Sequence, residues 1–77
     1  MNNNVEKPTS FRDRLAIEED ELDKKIMKLE IFIESDEFAT IDPVQGSLLN
    51  IQLAAMNTYN KCLGERIDWL DKNKKQL

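Results

Sequence analysis

Residues 48–70 read LLNIQLAAMNTYNKCLGERIDWL, and two seven-residue repeats run through them side by side. Leu49, Met56, Leu63 and Leu70 make one repeat; Leu48, Ala55, Cys62 and Trp69 make the other. A heptad keeps its members on one face of an α-helix, and two adjacent heptads widen that face beyond what one neighbouring helix covers. The stretch predicts a long helix that packs on one element and keeps apolar surface for another.

Upstream, Asp42-Pro43-Val44-Gln45 marks where this helix begins. Aspartate suits the N-cap, and glutamine suits N3 of a capping box. Proline suits N1, where an amide N–H would lack an acceptor. The helix is expected over 43–72, with Gly64 inside it at a cost of about 1 kcal/mol relative to alanine. Lys72, Lys74 and Lys75 put positive charge at its C-terminal end, where the helix dipole favours it.

A second helix is expected over 11–34, capped by Ser10 with Asp13 at N3. Leu15, Leu22, Ile26, Leu29 and Ile33 form its narrower seam. Glu19 falls where that seam requires an apolar residue, so packing should be looser there. Asp20 with Lys24, and Glu21 with Lys25, are favourably ordered i,i+4 pairs on a solvated face. Ile31, Phe32 and Ile33 are consecutive and cannot all face one partner, so at least one is exposed or held in a further interface. Residues 35–42 form a short connection with Phe38 and Ile41 folded back on the helix ends, and residues 1–9 read as a flexible arm. So short a connection joins neighbours that run antiparallel. The expected fold is all-α: an antiparallel two-helix hairpin with coiled-coil-like arms, one domain over 10–77, which self-associates into a helical bundle.

Bulk composition narrows the function. A chain of 77 residues buries only about 60% of its unfolded surface and is marginal alone. Small scaffolds add disulfides, metal or oligomerisation. Cys62 is the sole cysteine, so an intrachain disulfide is excluded, and its place in an apolar stripe reads as a buried free thiol. Histidine is absent, which removes the commonest zinc ligand and general base. Self-association remains, with Phe32, Leu48, Ala55 and Cys62 as its expected interface residues. Charged residues make up 34% of the chain and the net charge is −4. That balance suits a soluble helical protein and opposes nonspecific attraction to nucleic-acid phosphates. No apolar run approaches the roughly 20 residues that span a bilayer. The first residues lack the charge and apolar core of a signal peptide, so a cytoplasmic location is expected.

No catalytic constellation emerges. The carboxylates of Glu18-Glu19-Asp20-Glu21 spread around their helix, and the two glycines are isolated rather than part of a phosphate loop. The chain is read as non-enzymatic, with no cofactor and no metal. Antiparallel folding does sort its charges. Arg12 and Arg14 come beside Arg66, Lys72, Lys74 and Lys75, with Lys7 on the arm, while Glu30, Glu34, Asp36, Glu37 and Asp42 gather at the turn. Tyr59, Cys62, Arg66 and Trp69 are three, four and three residues apart and share a face. Aromatic rings can stack on a nucleobase while guanidinium groups hold a phosphate. The candidate ligand residues are therefore Tyr59, Arg66, Trp69, Arg12 and Arg14. The same residue types also serve cores and protein interfaces, and the charge sorting equally complements exposed helix dipoles.

The run Arg14-Leu15, Glu18-Glu19, Glu21-Leu22-Asp23-Lys24-Lys25-Ile26, Lys28-Leu29-Glu30 and Phe32-Ile33 has a family look. So do Ser35-Asp36-Glu37-Phe38, Leu48-Leu49, Gln52-Leu53, Ala55-Met56, Tyr59 and Leu63-Gly64-Glu65-Arg66-Ile67. Over residues 11 to 70 the chain resembles small helical proteins encoded by phages and prophages, first catalogued in crAss-like phages. The resemblance implies a host-takeover or counter-defence factor. Some unrelated phage proteins of that kind sequester cyclic nucleotide or cyclic ADP-ribose signals in pockets between subunits. The leading expectation is an oligomeric protein that sequesters a small anionic, nucleotide-type signal at a subunit interface. The alternatives are a module that blocks or adapts a host protein, and a structural accessory of the phage particle.

Overall fold

A computed structural model describes residues 10–73; the arm over 1–9, Lys7, Lys74 and Lys75 lie outside the described residues. Helix α1 spans Phe11–Ile33, a 3-10 turn spans Asp36–Thr40, and helix α2 spans Pro43–Lys72. Both helices start where local chemistry requires. The Ser10 hydroxyl accepts from the Asp13 amide at 3.0 Å, and the Asp42 carboxylate accepts from the Val44 amide at 2.7 Å. Each bond satisfies one amide that the first helical turn leaves without a carbonyl. Pro43 follows at N1. The result is the all-α antiparallel hairpin, its only element beyond the two helices among the described residues being the 3-10 turn.

Leu63 is the centre of the core at 0% exposure, packed with Leu15, Leu22, Ile26 and Ile67. Ala16, Leu53, Met56 and Leu70 close around them, half-buried. The two stripes of α2 thereby part company. Leu49, Met56, Leu63 and Leu70 turn toward α1, whereas Leu48, Ala55, Cys62 and Trp69 are all exposed. Consecutive residues stand about 100° apart on a helix, and the core extends from Leu63 toward Leu53, Asn60 and Ile67, away from the second stripe. The expected wide face is thus two faces. Cys62, expected to be a buried thiol, is exposed for that reason.

Polar rungs flank the seam. Arg12 binds Asp71 through two N–H···O bonds of 2.9 and 3.0 Å, the Asn60 amide donates to Asp23, and the Glu19 carboxylate lies over Gly64. In all three pairs the residue numbers add to 83, so one antiparallel register runs from the middle of the hairpin to its open end. Glu19 interrupts the apolar seam of α1, and Gly64 is what makes room for it: a Cβ there would stand 3.0 Å from Oε2.

The turn end closes differently. Ser35 Oγ donates to the Phe32 carbonyl and Thr40 Oγ1 to the Glu37 carbonyl, at 2.6 and 2.7 Å. These short bonds hold the 3-10 turn so that Phe38 points inward. Its ring meets Phe32 edge-on, with centroids 6.0 Å apart, and covers Gly46. Among the three consecutive apolar residues, Phe32 and Ile33 are half-buried here and Ile31 is exposed.

Candidate functional site

The open end of the hairpin juxtaposes the first turn of α1 with the last turns of α2. Phe11 opens α1, and the helical period places Arg14 three residues on, one turn along the same side. Across the gap, Arg66, Trp69 and Leu70 occupy one turn of α2. Arg14 lies over the Phe11 ring at 5.9 Å from its centroid and Arg66 at 5.6 Å. Phe11, Arg66, Trp69 and Leu70 line an open groove of about 280 Å³.

The groove combines two properties. Its walls are two aromatic rings and a leucine, Arg66 lines it as well, and Arg14 stands beside it over the Phe11 ring. Among the described residues neither Arg14 nor Arg66 pairs with a carboxylate. A guanidinium stacked on a ring keeps its in-plane N–H donors free for an anion, the geometry suited to phosphate or carboxylate. Flat aromatic surface beside exposed fixed positive charge is the chemistry that receives a planar, negatively charged molecule.

Of the residues singled out from sequence, Arg66, Trp69 and Arg14 come together here. Arg12 is at the same end but is engaged by Asp71, whose hydrogen bonds first, and whose charge second, raise the Arg12 pKa above its ordinary value. Tyr59 shares the face of α2 but sits ten residues before Trp69, about 15 Å along the axis, and does not line the groove. Phe11 is not among the sequence candidates. The signal for it is present nonetheless: an aromatic residue at the first position of one helix, beside the last turn of an antiparallel neighbour. Leu48, Ala55 and Cys62 lie together on the exposed side of α2, while Phe32 is drawn into the turn.

A larger surface hollow of about 450 Å³ lies mid-hairpin beside Asp23, Ile26, Met27, Asn57, Asn60 and Lys61. Its two central polar groups, Asp23 and Asn60, bind each other, which leaves less unpaired chemistry there than at the open end. Among the described residues no cluster of three or more acidic, cysteine or histidine side chains is placed to hold a metal. No helix among them is long and apolar enough to cross a membrane.

The Sequestin family model matches residues 9–69. A protein of Enterobacteria phage T4, described as an uncharacterized 7.5 kDa protein in the denB-rIIB intergenic region, is 38% identical over 58 residues. The match covers 75% of this chain and 91% of the T4 protein. No solved structure matches the chain. Both sequence matches support the resemblance to small phage-encoded proteins, at the level of phages in general rather than crAss-like phages.

Proposed function

The chain belongs to the Sequestin family, and on that footing we propose that it is a non-enzymatic phage protein that sequesters a small anionic ligand of nucleotide type. The groove at the open end is the ligand site. Trp69 stacks on the planar part of the ligand, Phe11 seats the two guanidinium groups, and Arg14 and Arg66 neutralise its phosphate. The observation that carries this reading is the pair of guanidinium groups flanking Phe11, with no carboxylate partner among the described residues, at the edge of an aromatic groove. The family's name, with its sense of holding a partner away, agrees. An open groove on one hairpin covers little of such a ligand, whereas tight small-molecule sites bury most of it. The functional unit in this reading is therefore an oligomer, in which a second copy closes the exposed side. Its setting is the cytoplasm of the infected cell, where the signal it removes would otherwise act in defence.

Isothermal titration of the oligomer with cyclic mononucleotides, cyclic dinucleotides and cyclic ADP-ribose tests the reading. One class should give saturable heat, weakening as salt rises. Trp69→Ala should lower its affinity about 5- to 150-fold, the range of one lost stacking contact. Absence of heat with every member of the panel, in a demonstrated oligomer, would overturn it.

A second reading is a module that blocks a host protein. Met27 and Ile31 favour it, being large apolar side chains left exposed on α1. Capture of one dominant host protein, lost with Ile31→Asp, would select it.

A further inference from the structure

From Pro43 to Asn60, eighteen residues in a row, α2 carries no Asp, Glu, Lys or Arg, although α1 is more than half charged. A solvated helix face in so charged a protein has no reason to exclude charge, while the core of an interface does. Within the stretch and just beyond it, Val44, Leu48, Ile51, Ala55, Thr58 and Cys62 follow at spacings of four, three, four, three and four. That is the periodicity of a coiled-coil seam. All six are exposed, with Val44 at 65%, Leu48 at 51% and Ile51 at 64%. Thr58 adds no unmet polar group, because its hydroxyl donates to the Ala54 carbonyl of its own helix at 3.1 Å.

The seam is graded in size. Its first three members are large and its last three are small. Two copies in parallel would set large against large at one end and leave voids at the other, and both faults destabilise a packed interface. Antiparallel pairing about a two-fold axis sets Val44 against the partner's Cys62, Leu48 against the partner's Thr58, and Ile51 against the partner's Ala55. Every layer then joins one large and one small side chain. Charge agrees with size: the same pairing brings Lys61 within one turn of the partner's Asp42, and a parallel one sets like charges together.

We propose that the uncharged face of α2 is the self-association surface of this protein, occupied by α2 of a second copy running antiparallel, with Ile51 and Ala55 in the central layers. The inference rests on the self-association half of the functional reading and not on its ligand. The overlap ends at Cys62, one turn short of Arg66, so the groove stays outside the seam and borders the partner's connecting turn. Each two-fold dimer carries two such grooves, one at either end.

The test uses Val44→Cys in the full chain under mild oxidation. Residues 44 and 62 of one helix are about 27 Å apart, so they cannot bridge within a copy. A covalent dimer is expected, with a peptide map that joins the introduced thiol at position 44 of one copy to Cys62 of the other. The parent chain should stay unlinked under the same conditions, because its two Cys62 thiols stand at opposite ends of the seam. Sedimentation velocity should find the parent dimeric and Ile51→Asp monomeric with unchanged helicity. A linkage between the two introduced thiols, a readily linked parent, an Ile51→Asp dimer or a parent monomeric at every concentration would each overturn the proposal; the last would leave the face to a different protein. A dimer with the expected linkage and no heat in the nucleotide titrations would instead retain the seam and remove the ligand.

Discussion

The two glycines of α2 have opposite reasons to be there. Gly64 faces the end of a flexible carboxylate, since a Cβ would come within 3.0 Å of Glu19 Oε2 and nothing else nearby. Glu19 can swing toward solvent. Gly64→Ala should therefore recover most of the helix-propensity gain, a stabilisation of about 0.5–1 kcal/mol, read as a higher urea midpoint at constant slope. Gly46 is buried and faces a ring held on its other side by Phe32: a Cβ would meet Phe38 Cζ at 3.3 Å, with two more ring atoms inside 4 Å. That ring is only half-buried, but its edge-on contact with Phe32 restrains it. Gly46→Ala should lower the midpoint, by about 1 kcal/mol as overpacking typically does. Equal effects from the two substitutions would mean that propensity alone governs both sites.

At the scale of the elements, each helix is anchored by one side chain that precedes it. Asp42→Ala removes the acceptor for the Val44 amide and should cost about 1 kcal/mol, measured by thermal melting, with the loss of helicity confined to the start of α2. Caps and helix bounds were legible from sequence because they depend on residues within one turn of each other. The α1 seam and the Leu63 stripe were legible because a heptad is a local statement about one helix. What lay across the hairpin was not. The Arg12–Asp71 pair joins residues 59 positions apart, and its existence depends on the register, which the 3-10 turn sets. Tyr59 lies on the same broad side of α2 as Trp69, about 80° round the helix from it, but spacing alone does not show reach along the axis. Cys62 reads as buried only if the two stripes count as one face, and the direction in which the core extends decides which stripe it takes. Gly64 is a blemish in the sequence of α2 until Glu19 stands opposite it.

For the molecule as a whole, the five buried apolar side chains among the described residues are a small core for the surface left outside, where Val44, Leu48, Ile51 and Trp69 stay exposed. If the uncharged face of α2 closes on a second copy, folding and association are linked, and the melting temperature must rise with protein concentration. Calorimetry over a hundredfold concentration range should show that rise for the parent chain and a flat line for Ile51→Asp. A parent whose melting temperature ignores concentration would place all of its stability within one hairpin. The constant register of the hairpin has a further consequence. Phe11 reaches Arg66 and Trp69 only because α1 has the number of residues it has between the turn and its first position. One residue more within α1, between the turn and Phe11, would carry Phe11 on by about 1.5 Å and about 100° relative to its old neighbours. The groove would come apart although none of its residues had changed. The turn is the zero mark of a ruler, and the site is a reading taken at the far end of the scale.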